Sequence, residues 1–304
     1  MATTDFHGMP TYTLQNEHLR LEVLASAGPR IVRLFPAGSP QNLLAELPDM
    51  QWDTPHGPFR LWGGHRLWHA PETATRTYFP DDSGLQLASI AHGVRLAQPA
   101  EAATGIAKSL EVTLEASRPG IQLRHELRNE GVWPVTLAPW AITQLPLGGT
   151  AILPQRTAPL DPDGLQPNRS LALWPYTRWQ DPRLHPADDY FLVTGEADEV
   201  PCKVGYFNHA GWLAYWHAGV LFVKEFQPRP GDLHPDLDSN AEVYVYNRFL
   251  ELETLGPLQT IAPGESAIHY ETWLLSRPGL ADLPAILTPT QAAQLIASLP
   301  IPLT

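Results

Sequence analysis

The sequence has little cysteine and little positive charge, and it contains no long apolar run. Cys202 is the 1 cysteine among 304 residues, which excludes an internal disulfide and a cysteine-based metal cluster. The 20 Lys and Arg residues against 32 Asp and Glu give a net charge of −12, which repels phosphate backbones and anionic lipid. No run of about eighteen apolar residues occurs, and the first residues lack the basic and apolar regions of a signal peptide. These absences predict a cytoplasmic protein with no nucleic-acid or membrane partner.

Strand-forming and turn-forming residues are abundant instead. The chain has 10 Trp, 9 Tyr and 9 Phe together with 32 Pro and 22 Gly, a mixture that favours β structure. Four stretches alternate apolar and polar side chains with a period of two, which predicts strands that bury one face. They are residues 18–26, 120–131, 211–226 and 241–255, and "WHAG" in the third is placed for a hairpin turn.

Helical periodicity of useful length occurs only at 288–299, where Thr288 or Thr290 offers an N-cap, so we expect a short helix there as a terminal appendage. Proline-rich loops are predicted at 160–170 and 227–240. No linker divides the chain and no fixed-period repeat appears, which argues against a propeller or solenoid. The sequence therefore predicts one all-β domain over 1–304, a large sandwich of antiparallel sheets.

The segment "LWGGHRLWHAPE", residues 61–72, concentrates aromatic and ionisable side chains. In extended backbone, His65 and His69 face one side, whereas Arg66 and Trp68 face the other. The preceding Gly-Gly pair permits a tight turn or a close approach of backbone.

The order of four segments resembles that of the galactose mutarotase (aldose 1-epimerase) superfamily, and more closely an uncharacterised branch of it. The segments are "NEHLRLEVLASAGPRIVRL", "LWGGHRLWHAPE", "LRNEGVWPVTLAPWAITQL" and "ELETLGPLQTIAPGESAIHYETWLL", and the likeness extends over about residues 14–276. The resemblance implies a β-supersandwich whose concave face holds a sugar.

Mutarotases open and close a pyranose ring with one general acid and one general base. The resemblance places the base, a glutamate, at Glu253 in "LELETLGPL". Glu251 lies on the same face of that strand because side chains alternate. The alternative is an exposed strand edge with two solvated glutamates.

The general acid of the family, a histidine, is replaced here. Trp140 occupies its position in "VTLAPWAITQL". An indole cannot exchange a proton near neutral pH, but it can stack on a sugar ring. His65 and His69 are the substitute candidates for the acid, and Arg66 matches the arginine that lines the family's pocket.

Carbohydrate pockets combine flat aromatic faces with charged groups, and 61–72 supplies both, so Trp68 and Glu72 are also predicted to bind the sugar. Two other interpretations stay open. In one, His65, His69 and Glu72 bind a metal. Two histidines spaced H-x-x-x-H reach the same metal ion only on a helix, and the Gly-Gly pair before them and the Pro after them oppose a helix. In the other, the aromatic residues fill the core between sheets. We predict no metal and no cofactor.

Two further residues are candidates for substrate binding. Lys224, in the apolar stretch "LFVKEF", would need a carboxylate partner if it points inward, with Glu253 or Asp238 available. Asp238 lies in "HPDLDSNAEVYVY", where a turn with Asx caps is the favoured interpretation and a place on the rim of the pocket the alternative.

Three functions remain open from the sequence. One is an epimerase-like enzyme that binds a small-molecule sugar and uses Glu253 as base. The second is a carbohydrate-binding protein that lost catalysis, with Trp140 as a stacking platform. The third is an oligomeric scaffold whose aromatic residues form an interface. Retention of Glu253 and the polar–aromatic segment 61–72 favour the first two.

Overall fold

The computed structural model describes residues 3–280 and 283–299, and it is nearly all β. The first twelve strands are β1 Thr3–Phe6, β2 Met9–Gln15, β3 Leu19–Leu24, β4 Arg30–Pro36, β5 Glu46–Thr54, β6 Gly57–Gly63, β7 His65–Ala70, β8 Gln86–Ile90, β9 Gly93–Ala97, β10 Ile106–Leu114, β11 Gly120–Asn129 and β12 Val135–Pro146.

The remaining elements are β13 Thr150–Pro154, β14 Ala172–Leu173, β15 Leu184–Pro186, β16 Tyr190–Thr194, β17 Cys202–Tyr206, β18 Trp212–His217, β19 Val220–Phe226, the single turn α1 Pro235–Asp238, β20 Ala241–Tyr246, β21 Phe249–Leu255, β22 Gln259–Ile261, β23 Ser266–Ser276 and α2 Pro289–Ala297. No helix within 3–280 or 283–299 has the length and apolarity to cross a membrane.

The chain divides into two compact units, unit 1 (Met1–Leu145 and Leu255–Thr272) and unit 2 (Pro146–Thr254 and Trp273–Thr304). Compactness does not measure whether each unit folds independently, so the single domain over 1–304 stays a prediction.

Unit 1 contains two sheet segments and a hairpin. One segment has the order β1-β2-β3-β4-β7-β12, with β22 beside β12, the other has the order β23-β11-β10-β9-β8, and β5 pairs with β6. Leu67 and Leu137 from the first segment pack against Ile106 and Leu127 from the second. The predicted sandwich of antiparallel sheets is therefore present in unit 1.

Gly63 and Gly64 allow β7 to enter this sandwich. Both have left-handed φ, at +90° and +72°. A Cβ on Gly63 would lie 2.0 Å from the carbonyl oxygen of Ala45, and one on Gly64 would lie 1.9 Å from that of Ile31. The close backbone approach expected of the pair is thus observed.

Unit 2 has the sheet segments β21-β20-β17-β14 and β15-β16-β13-β18-β19. The hairpin predicted at "WHAG" joins β18 to β19, with Ala218 and Gly219 at φ of 50° and 78°. The predicted helix is α2, which begins after Thr288 as N-cap with a capping box. Its Ala292 and Leu295 are fully buried among the side chains of β13, β16, β18 and β19. The helix is therefore part of the core of unit 2, not an appendage.

Candidate functional site

Three charged side chains meet on one face of a sheet in unit 2. Lys203 lies on β17, Glu242 on β20 and Glu253 on β21, and the register sets Glu242 directly opposite Glu253. Lys203 Nζ lies 2.7 Å from Glu242 Oε2 and donates to Glu253 Oε2 at 2.9 Å. Their exposed fractions are 4%, 0% and 0%. We call these three residues the lysine–glutamate cluster.

The lysine–glutamate cluster holds one ammonium against two carboxyl groups away from water. Burial raises the pKa of Glu242 well above its usual value, and the neighbouring Glu253 charge adds to the rise although Lys203 opposes it. Burial alone would lower the pKa of Lys203, but Glu242 and Glu253 hold it well above the usual value. An uncompensated negative charge is costly in such a site. The raised pKa favours the protonated form of the Glu242 carboxyl group.

Aromatic residues accompany the lysine–glutamate cluster. Lys203 Nζ lies 4.6 Å from the centroid of the Trp174 ring, a cation–π contact. Tyr176 and Tyr244 meet edge to face with centroids 6.4 Å apart, and Tyr176 is 36% exposed. Thr177 Oγ1 donates to the carbonyl oxygen of Lys203 and accepts from its amide, each at 2.8 Å, which fixes this loop beside β17. Solvent-accessible aromatic surface thus lies next to buried carboxyl groups.

A second polar and aromatic face lies on β7 and β12 in unit 1. Arg66 Nη1 donates to Gln144 Oε1 at 2.9 Å, and its guanidinium lies 4.3 Å from the Trp68 ring. Trp68 is directly opposite Trp140 in the register, and their rings meet edge to face at 5.5 Å. The exposed fractions of Trp68 and Trp140 are 7% and 3%, so each ring is covered by neighbouring side chains.

His65 and His69 lie on the opposite face of β7 from Arg66, as the alternation predicts. Both are fully buried, since the interior of the unit 1 sandwich surrounds them. His65 Nε2 contacts His125 Nε2 at 2.8 Å, whereas His69 Nε2 lies 3.5 Å from Glu101 Oε2. The two histidines therefore use different partners, and their contacts favour the structural interpretation over the acid role.

The other predicted residues have separate surroundings. Glu251 lies opposite Tyr244, on the same face as Glu253 as expected, and is 8% exposed. Lys224 points inward, and its Nζ donates to the carbonyl oxygen of Leu252 at 3.0 Å. Glu72 is exposed and accepts a hydrogen bond from the Tyr78 hydroxyl.

Asp238 belongs to a left-handed turn. Residues 236–238 have φ between 52° and 66°, and Asp238 Oδ1 accepts from the amide of His234 at 3.0 Å. Asp238 also lines a cavity of about 320 Å³ in unit 2 with Arg156, Arg169 and His209. Asp238 is therefore held in a hydrogen-bonded turn, and it stands on the rim of this cavity.

Sequence reasoning missed Lys203 as a site residue. It weighed Glu242, within "HPDLDSNAEVYVY", for the rim of the pocket, and it weighed Trp174 and Tyr176, in "LWPYTRWQDPR", either as an aromatic and charged group or as a loop that covers the sandwich. The signal for Lys203 is in "VPCKVGYF", where a single lysine interrupts a short apolar run, as Lys224 does in its own strand. Such a lysine on a buried strand face needs carboxylate partners. Glu242 and Glu253 carry the same signal, because each occurs within an apolar strand.

Structural comparison identifies the fold. No family profile matches the sequence, and no curated protein is similar to it. A candidate aldose 1-epimerase of Escherichia coli K12 superposes with a TM-score of 0.56 at 14% identity, over 89% of this chain and 100% of that one. A galactose mutarotase-like protein of Lactobacillus casei gives 0.54 at 10% identity, over 88% and 100%.

A TPR-domain-containing protein of Parabacteroides distasonis is also similar, with a TM-score of 0.60 at 13% identity. The match covers 92% of this chain and 50% of that one, so there the fold is part of a larger protein. The chain has the galactose mutarotase-like fold, which confirms the resemblance at the level of architecture. Because one fold hosts several functions, the site has to carry the functional argument.

Proposed function

We propose that the protein binds a carbohydrate at the aromatic and carboxyl-bearing face of unit 2 and acts there as an aldose 1-epimerase-like isomerase. The observation that supports this most directly is the lysine–glutamate cluster beside Trp174. Two adjacent carboxyl groups, of which Glu242 has a raised pKa, offer an acid and a base for one sugar ring.

The proposed reaction balances with these residues alone. Glu253 takes the proton of the anomeric hydroxyl while protonated Glu242 gives its proton to the ring oxygen. The bond between the anomeric carbon and the ring oxygen breaks, and an open-chain aldehyde forms. After rotation about the adjacent carbon–carbon bond, the same transfers in reverse close the ring on the other face. Glu242 takes the acid role in place of His65 and His69, whose side chains face the interior of unit 1.

The aromatic residues supply the binding surface. An aromatic ring packs on the apolar face of a sugar, and carboxyl groups accept hydrogen bonds from its hydroxyls. Solvent reaches Trp174 and Tyr176 on this face, whereas Glu242 and Glu253 are fully buried. Binding therefore begins at the aromatic rings.

A second candidate function is sugar binding without turnover. Trp140 in place of the family's histidine, together with the interior position of His65 and His69, favours it. Both functions predict that Trp174 matters for affinity, and they differ in the consequence of removing Glu253.

The test measures binding and turnover separately. Neutral, phosphorylated and uronic aldoses are titrated by calorimetry, and anomer exchange is followed by NMR exchange spectroscopy. For the isomerase, we expect Glu253→Gln to abolish exchange while affinity is kept, and Trp174→Ala to weaken binding. Trp179→Ala is the matched control, because Trp179 lies on the same loop and is 81% exposed.

Exchange that is absent from the wild-type protein, with binding that depends on Trp174, would establish the non-catalytic function. Equal affinity and equal exchange in all four proteins would refute the assignment of this face.

A further inference from the structure

Three ionisable side chains converge inside unit 1, away from the lysine–glutamate cluster. His65 lies on β7, His125 on β11 and Glu271 on β23, with exposed fractions of 0%, 0% and 2%. One ligand atom from each lies within 4.8 Å of the others. The shortest of the recorded contacts joins the two Nε2 atoms, which are 2.8 Å apart.

The contacts of the two Nδ1 atoms determine where the protons lie. His125 Nδ1 lies 3.1 Å from the carbonyl oxygen of His269. Since a carbonyl only accepts, His125 carries a proton on Nδ1, and in the neutral ring the lone pair of its Nε2 then faces His65. His65 Nδ1 lies 2.9 Å from Thr143 Oγ1.

The Thr143 hydroxyl can donate to His65 Nδ1 or accept from it. If it donates, His65 is protonated on Nε2 and gives that proton to His125. If it accepts, His65 is protonated on Nδ1, and the lone pairs of both Nε2 atoms point into the same space. One shift of a proton within the His65 ring therefore converts a hydrogen-bonded pair into a pair of metal ligands.

Two imidazoles and a carboxylate are a common donor set for divalent metals of the first transition row. With metal–nitrogen bonds of about 2.0–2.1 Å, nitrogens about 2.8 Å apart subtend an angle close to 90°, as adjacent ligands do. The contacts of the Nδ1 atoms are those that orient metal-binding histidines, which usually donate their second N–H to a carbonyl or another acceptor.

We propose that His65, His125 and Glu271 bind a divalent first-row transition-metal ion inside unit 1. The ion joins β7, β11 and β23 within the sandwich. The sequence-based prediction was that no metal is bound. The metal interpretation left open there used His65, His69 and Glu72, and of these only His65 belongs to the site proposed from the structure. That site is independent of the proposed sugar chemistry, with which it shares no residue.

The test uses the full chain without an affinity tag, stripped with a chelator and dialysed. Zn²⁺, Co²⁺ and Ni²⁺ are added in turn, and bound metal is measured by elemental analysis after gel filtration. We expect one equivalent, a raised Tm, and loss of both in His125→Gln and Glu271→Gln. Thr143→Val should weaken binding by about tenfold or more, since it removes an orienting contact. His185→Gln is the control, because His185 is an exposed histidine.

A readout on the wild-type protein keeps the proposal testable if the variants fail to fold. Long-range ¹H–¹⁵N spectra report the tautomer of each histidine, and metal should move His65 to the Nδ1–H form. Stoichiometric binding that survives in the variants would mean that surface histidines alone bind the ion. That result, or unchanged His65 and His125 resonances at saturating metal, would overturn the site.

Discussion

Glu101 is predicted to make the protein sensitive to acid. It is 1% exposed in unit 1, where it forms an ion pair with Lys108 and lies 3.5 Å from His69. Burial alone would raise the pKa of Glu101, but the Lys108 charge and the His69 contact lower it from 4.5 to about 2. The perturbation is Glu101→Gln, which removes the titrating group while keeping its shape.

The magnitude follows from linkage between proton binding and folding. A carboxyl group whose pKa is lowered in the folded state adds stability above its unfolded pKa, and that stability is lost as the pH falls through the folded value. Between about pH 6 and about pH 3, the unfolded chain binds a proton at Glu101 and the folded chain does not. The free energy of unfolding should therefore fall by about 2 kcal/mol over this range because of Glu101 alone.

The assay compares urea unfolding at several pH values in two proteins, His69→Gln and His69→Gln/Glu101→Gln. His69 is replaced in both because burial lowers its pKa, so it also titrates on unfolding. We expect the double variant to lose less stability than the single variant on acidification, by at most about 2 kcal/mol, because the Lys108 charge still lowers the pKa of Glu101 after His69 is replaced. Glu111→Gln in the same background is the control, since Glu111 is a partly exposed carboxylate on the same strand as Lys108. Parallel pH profiles for the single and double variants would refute the lowered pKa of Glu101.

Three further variants test the packing. Gly64→Ala should destabilise the chain severely, because its Cβ would lie 1.9 Å from a backbone oxygen, whereas Gly38→Ala meets no atom within 4 Å; thermal unfolding distinguishes them. Leu295→Ala should cost about 2–5 kcal/mol in denaturant unfolding, since it opens a cavity in the core of unit 2, while the exposed Gln294→Ala should have little effect. Thr288→Ala removes the cap of α2 and should cost about 1 kcal/mol in the same measurement.

Local periodicity was sufficient to predict much of the fold. The stretch 241–255 alternates with a period of two and forms β20 and β21, and 288–299 has a period near 3.6 and contains α2. The order of strands depends on contacts between distant segments, which periodicity does not contain. The burial of α2 against β13 and β18 is a case of this kind, because nothing near residue 292 identifies its partners.

The sequence also predicted which side chains share one face of a strand. It did not predict which residues from other strands contact that face. Alternation correctly separated His65 from Arg66 and set Glu251 beside Glu253. A cation that contacts Glu253 comes from β17, some fifty residues earlier, and only tertiary pairing reveals it as Lys203. The sequence considered Lys224 as a partner of Glu253 and overlooked Lys203, although both lysines interrupt apolar strands in the same way.

The interior of unit 1 shows why a histidine-rich segment alone does not define a site. His65 and His69 occur within five residues, yet each contacts a different side chain from a distant segment: His65 contacts His125 on β11, and His69 lies 3.5 Å from Glu101 in the loop before β10. Buried ionisable groups persist only where partners compensate them, because an uncompensated one costs several kcal/mol. Each buried ionisable side chain therefore implies a compensating side chain elsewhere in the chain. A candidate site is identified by both members of such a pair, not by one segment of sequence. His65 with His125 and Glu253 with Lys203 are two such pairs, and mutational tests of chemistry should begin with them because the proposed metal site and the proposed sugar site contain them.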